Sequence, residues 1–135
     1  MQRIDGQLVH TATDLVRFLD CPHRVLLERD AALGRLEVPR HEDPLARHLQ
    51  ERGGAVEKAH VDSIRATGKS VAEAEPPARG RAGLEAAARN TAELIARGVD
   101  AIVQPTFFDG TWLGRADVLR SEEHTSELQS HHDLV

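Results

Sequence analysis

Gln104, Thr106, Arg115 and Asp117 are the residues that spacing brings closest to a chemical task. They fall on two strand-like runs, Ala101 to Phe108 and Thr111 to Leu119. The runs are joined by Asp109-Gly110, a dipeptide suited to a two-residue type I′ turn. With that turn setting the register, Phe108 faces Thr111, Gln104 faces Arg115 and Ile102 faces Asp117. The strand period of two then collects Gln104, Thr106, Arg115 and Asp117 on one side of the ribbon. Val103, Pro105, Phe107, Trp112, Gly114, Ala116 and Val118 fall on the other. The apolar side is expected to pack on a core and the polar side to face solvent. There, the Gln104 amide and the Arg115 guanidinium beside a carboxylate are groups that contact phosphate. A plain cross-strand partnership accounts equally for Arg115. Pro105 has no N–H for a ladder, which predicts an edge strand or a bulge.

Upstream of the ribbon the pattern is helical. Thr13 followed by Asp14 reads as an N-cap with an acid in the first turn, opening a short helix through Leu15, Phe18 and Leu19. Cys21-Pro22 interrupts it, with Pro22 suited to the first position of a second helix that carries Val25, Leu26 and Leu27 and ends near Gly34. Residues 35–43 form a polar loop. From about Asp43 to Ala66, Leu45, Leu49, Gly53, Val56, His60 and Ile64 recur at three or four and define one helix face. Gly53-Gly54 would weaken or bend that helix, or admit a close backbone. Lys69 to Ala74 is short enough for a strand, Glu75 to Gly83 reads as a loop, and a third helix spans about Leu84 to Ala96. The fold class expected is α+β, N-terminal helices followed by a β-hairpin, in one domain.

Composition narrows the classes of function. A chain of 135 residues has room for one modest core. No apolar run approaches the ~20 residues that cross a bilayer, so no membrane partner is expected. Met1 to His10 lacks the apolar stretch of a signal peptide, and the single cysteine, Cys21, cannot form an intrachain disulfide. A cytoplasmic setting is the expectation. The net charge of −5 is not that of a generic nucleic-acid-binding protein. Arg120 to His131, however, reads RSEEHTSELQSH, without apolar periodicity or strand alternation, and matches a translation of a common sequencing-adapter string. Residues 1–120 are therefore taken as the folding unit and 121–135 as an adapter-derived, disordered tail. Removing the tail takes away Glu122, Glu123, Glu127 and Asp133 but no Lys or Arg. It leaves 17 basic and 18 acidic residues, a net of −1 that neither favours nor excludes DNA.

In combination, several segments resemble the RecB-like nucleases of the PD-(D/E)XK class. Thr11-Ala12-Thr13-Asp14-Leu15 with Phe18-Leu19-x-Cys21-Pro22 is similar to their opening motif. Arg52-Gly53-x-x-Val56-Glu57 is similar to their second helix, which usually reads Arg-Gly-x-x-His-Glu. Gly98-x-Asp100-x-Ile102-x-Gln104 and Asp109-Gly110-x-Trp112-x-Gly114-Arg115-Ala116-Asp117 resemble their first hairpin. No single motif is specific; their order and spacing, over residues 11 to 119, carry the likeness.

The resemblance implies an incomplete start of a PD-(D/E)XK core and metal-assisted hydrolysis of DNA phosphodiesters, in a parent acting in repair or recombination. A magnesium or manganese ion held by oxygen ligands would polarise the phosphate and activate water. By motif, Asp117 is the first metal carboxylate; the plain alternative is a strand-end aspartate with no task. A Glu or Asp followed two residues on by a lysine should come next, where the adapter-like tail stands. Glu127 and Asp133 lack that lysine, and no lysine follows Lys69. The chain is therefore expected to be a fragment inactive by itself. Val56 stands where relatives carry a metal-binding histidine. His60, one turn on, is a substitute ligand or else a partly buried helix histidine. Glu57 matches the motif or is a solvated helix residue. Some relatives hold an iron–sulfur cluster with one early and three late cysteines. Cys21 has no late companions, so a cluster is unsupported and a buried cysteine at a helix junction is expected. Two rival readings remain: a non-catalytic nucleic-acid-binding or scaffold domain of nuclease ancestry, and an unrelated helical interaction domain without the hairpin. Oligomeric state is not legible.

Overall fold

The N-terminal residues, to which the sequence reading assigns no element, form a hairpin. The computed structural model describes residues 1–39 and 44–121. Strand β1 (Gln2–Ile4) pairs antiparallel with β2 (Gln7–Thr11) across Asp5-Gly6, both at positive φ (48° and 85°). Asp-Gly is a strong hairpin signal, but the alternation beside it is only five residues long, too short for periodicity to mark a strand. The fold therefore opens on β-structure rather than on helices.

Helix α1 (Ala12–Asp20) starts two residues earlier than expected, with Thr11 rather than Thr13 as its N-cap. Asp14 reaches back three residues and accepts from the Thr11 amide (2.7 Å) and hydroxyl (3.0 Å), and its other oxygen takes the Met1 ammonium. This satisfies a donor at the helix start and ties the first strand to α1. Pro22 opens α2 (Pro22–Ala32) as its spacing predicts. Cys21, expected to be buried, is exposed at the α1–α2 junction.

Helix α3 (Pro44–Ala66) runs without a break through Gly53-Gly54. Its buried side agrees with the predicted face only at Ile64. Val61 and Ile64 are buried, whereas Val56 is 70% exposed and His60 is exposed. A stripe that included Val61 would have placed His60 on the shoulder of the buried face, where it now borders open space. Strand β3 (Val71–Glu73) follows as expected. Helix α4 (Gly80–Ala96) begins four residues earlier than predicted, inside the stretch read as loop. A Cβ at Gly83 would come within 2.1 Å of the Ala78 carbonyl oxygen, so the tight entry into α4 requires glycine.

The C-terminal ribbon comprises β4 (Ala101–Val103), β5 (Thr106–Phe108), β6 (Trp112–Arg115) and β7 (Val118–Arg120). It is present, which removes the helical domain without a hairpin from consideration. Its register differs from the predicted one. Phe108 pairs with Leu113, Thr106 with Arg115 and Ile102 with Leu119. The turn is centred on Gly110-Thr111 rather than Asp109-Gly110, because the Asp109 carboxylate accepts from the Thr111 and Trp112 amides (2.8 and 2.7 Å). These two amides hold the Asp109 carboxyl below its ordinary range. The shift is two residues, so alternation keeps every side chain except that of Gln104 on its predicted face.

What those faces pack on does not follow the prediction. The ribbon divides between two sheets, ordered β1-β2-β6-β5 and β3-β4-β7. The face expected to meet solvent lies under α4. Ile102 (2% exposed) joins Leu94 and Ala74 in the core, and the fully buried Thr106 donates its N–H to the Thr91 hydroxyl of α4 at 3.0 Å. On the face expected to be core, Val103 and Pro105 are buried but Phe107 and Trp112 are 40% and 45% exposed. Arg81 of α4 joins the two hairpins. Its amide donates to Asp5 (2.7 Å), and its guanidinium reaches Gln7 and the Gly110 carbonyl and lies over the Phe108 ring. Among the described residues no helix is long and apolar enough to cross a membrane.

The Asp14 bonds carry a pH signature. Burial alone would raise its pKa, but the Met1 ammonium and the Thr11 amide and hydroxyl outweigh burial and hold it below the ordinary value. The unfolded chain therefore takes up this proton more readily than the folded one. The stabilisation is present above the ordinary aspartate range and is lost as pH falls through the folded value. Asp14→Ala is expected to cost about 1–2 kcal/mol at neutral pH. The difference from the parent should shrink below about pH 4 in urea melts at a series of pH values; a pH-independent difference would contradict the assignment.

Candidate functional site

The site begins at a break in the ribbon. Gln104 takes a left-handed conformation (φ 54°), unusual for a residue with a Cβ, and Pro105 follows it. Together they end β4 and start β5 in a new direction. Across the ribbon the break falls at Ala116-Asp117, between β6 and β7. The two strands stay joined there: the Gln104 N–H donates to the Asp117 carbonyl at 2.8 Å, and the Ala116 N–H to the Pro105 carbonyl at 3.3 Å.

Strand alternation alone would place the Gln104 side chain on the α4 side with Ile102 and Thr106. The left-handed rotation sends it elsewhere, and its Nε2 donates to Glu57 Oε1 of α3 at 2.7 Å. The Arg115 guanidinium approaches the Gln104 Oε1 at 3.5 Å, a distance at which the contact orients more than it binds. Glu57, Gln104 and Arg115 thus form a polar relay from helix to ribbon.

Beside this relay lies an open cleft of roughly 700 Å³, lined by Arg52, Gly53, Val56, Glu57 and His60 of α3 and by Asp117 and Val118. Most of the residues singled out from the sequence for chemistry come to one place; Thr106, buried under α4, does not. Asp117, Glu57 and His60 line the cleft, and Gln104 and Arg115 join it through Glu57. Asp117 is exposed, and its carboxylate has no hydrogen-bond or ion-pair partner among the described residues. Arg52 is likewise without an ion-pair partner among them. Its place in the cleft was legible only as part of the Arg-Gly motif. Val56 sits on the rim, 70% exposed. Cys21 is not among the lining residues, and Glu127 and Asp133 lie outside the described residues.

The donor set falls short of a metal site. Asp117, Glu57 and His60 border one cavity, yet among the described residues no three carboxylate, imidazole or thiol side chains gather closely enough to enclose a cation. Glu57 is turned toward Gln104. The divalent ion that the resemblance implies is not matched by these residues alone. The cleft can instead offer the Arg52 guanidinium to an anion, with the Asp117 carboxylate in the same lining. In comparisons with family models, with curated proteins and with solved structures, nothing matches this chain.

The strain at Gln104 gives a test of the local geometry. A left-handed residue with a Cβ costs about 1–2 kcal/mol relative to glycine, and both substitutions below lose the bond to Glu57. Gln104→Gly is expected to be more stable than Gln104→Ala by about 1 kcal/mol, the reverse of the ordinary order. Denaturant melts of the two variants decide it, and an alanine variant as stable as the glycine one would rule out the left-handed turn.

Proposed function

We propose that the cleft belongs to a metal-dependent DNA nuclease of the PD-(D/E)XK type, and that it binds the phosphate backbone without cleaving it in this chain. Asp117 is the first metal carboxylate of that machinery, and Gln104, Arg115 and Arg52 are its phosphate contacts. The observation that carries the reading is the convergence of α3 and the ribbon: two segments singled out by motif, sixty residues apart in the numbering, border the same cavity. Their residue types suit the task. A guanidinium recognises phosphate oxygens in a fixed fork, and an unpaired exposed carboxylate in the same cleft is costly for anion binding unless a cation intervenes.

Hydrolysis needs more than this. One carboxylate does not hold magnesium usefully, since the ion demands near-octahedral oxygen ligation. The described residues supply Asp117 in the family position and no lysine beside it. The chain as it stands is accordingly assigned binding rather than turnover. A second reading, a non-catalytic nucleic-acid-binding domain of nuclease ancestry, is favoured by Val56 in place of the family histidine and by the shortage of metal donors.

Anisotropy of a labelled DNA oligonucleotide tests the common core of both. The 135-residue chain should bind at low salt, and incubation with magnesium or manganese should leave the DNA intact. Asp117→Asn should tighten binding by removing a negative charge from the phosphate path. Arg52→Ala and Arg115→Ala should weaken binding and lower the salt slope by about 1 each. Indifference of all three variants would sink the cleft as a phosphate site. Metal-dependent cleavage abolished by Asp117→Asn would instead show that the donor set is complete.

A further inference from the structure

Gly53 and Gly54 stand in the middle of α3, yet the helix runs through them unbroken. Neither takes a positive φ, and a Cβ added at either would meet nothing within 4 Å. Among the described residues, no turn or close-packed element therefore asks for glycine at these positions. Gly83 is the contrast, because the Ala78 carbonyl leaves no room there for a side chain. Glycine is a poor choice inside a helix, since it loses the most backbone freedom on folding. Nothing in the described residues offsets that loss. The two glycines differ in the direction they face. Gly53, Val56, Glu57 and His60 recur at three and four and form the α3 wall of the cleft, with Arg52 beside them. Gly54 is turned by about 100° around the helix and is not in the lining. Gly53 thus leaves bare helix backbone at the cleft wall, next to a guanidinium with no ion-pair partner among the described residues.

We propose that Gly53 is the point at which the phosphodiester backbone of a bound DNA strand comes closest to α3. This rests on the reading of the cleft as a phosphate site and names the residue that sets how deep the strand lies. A phosphate held by Arg52 needs its oxygens within about 2.7–2.9 Å of the guanidinium nitrogens. A side chain on the next residue of the same wall would fill the space through which the strand's sugar and ester oxygens pass. The missing Cβ keeps that space clear. The lining also favours a polar chain over a helix from a protein partner. Arg52, Glu57, His60 and Asp117 all border the cleft, and an apolar helix laid on Gly53 would bury Arg52 and Asp117 without partners.

Alanine fits the helical backbone at both positions, so Gly53→Ala and Gly54→Ala should each raise the melting temperature by about 2–5 °C. Binding separates them. In anisotropy titrations of a labelled DNA oligonucleotide with the full chain at low salt, Gly53→Ala should bind about tenfold more weakly and Gly54→Ala as the parent does. Gly53→Leu should bind more weakly still. A gain in stability joined to a loss of binding is the signature of a glycine kept for its ligand. Equal losses from the two alanines would trace the effect to helix stiffness and overturn the assignment. A Gly53→Ala chain that binds like the parent also overturns it, and the cleft survives that result if Arg52→Ala still weakens binding. A parent chain that binds no DNA overturns both. Sedimentation showing a dimer of the parent chain that Gly53→Ala dissolves would put a second copy against the glycine, and overturns the proposal as well.

Discussion

The backbone bond from the Gln104 amide to the Asp117 carbonyl holds the molecule's two sheets to one register. It lies at the place where both strands of the C-terminal ribbon change direction, next to a left-handed residue and a proline that cannot donate. On one side of this point the ribbon belongs to the β1-β2-β6-β5 sheet, and on the other to β3-β4-β7. Because the same pairing continues across the break, Asp117 is placed by backbone geometry rather than by its own side-chain contacts. An unpartnered, exposed carboxylate can be held in a cleft only in this way.

The same break decides which helix meets which surface. Thr106 and Ile102 go under α4, where complete burial of an isoleucine-sized side chain stabilises by about 1.5–3 kcal/mol. Gln104 lies between them in sequence yet reaches Glu57 on α3. One residue out of alternation thus links the core packed on α4 to the polar border of the cleft. The cost is local strain of the kind found at binding sites. The Arg81 cluster and the Asp14 bonds fasten the N-terminal hairpin and α1 to the remainder without touching the cleft.

Much of this was legible in the residues. The ribbon, its faces, Pro22 at the start of α2, β3 and the α+β class follow from turn chemistry and periodicity. Of the residues named from the sequence, Asp117, Glu57 and His60 line one cleft and Gln104 and Arg115 border it, while Thr106 is buried under α4. What escaped has identifiable causes. The first hairpin is too short for alternation to register. The Asp109 carboxylate captures two amides and recentres the turn, a choice that dipeptide preference does not reveal. On α3 apolar spacing fits a face through Leu45, Leu49 and Val56 as well as one through Val61, and only packing chooses the second. The covering of the polar face by α4 is tertiary, and strand alternation cannot tell which side a helix will take when both carry apolar residues. No signal in the sequence announced a left-handed Gln104.

The central claim is that the α3 motif and the ribbon break make one anion-binding cleft. Backbone amide chemical shifts of the full chain, followed by NMR as an oligonucleotide is added, test it most directly. Shifts concentrated at Arg52 to His60 and at Arg115 to Val118, moving with a common affinity, are the result predicted. Shifts confined to the exposed apolar surface of α1 and α2, with those two segments still, would contradict it.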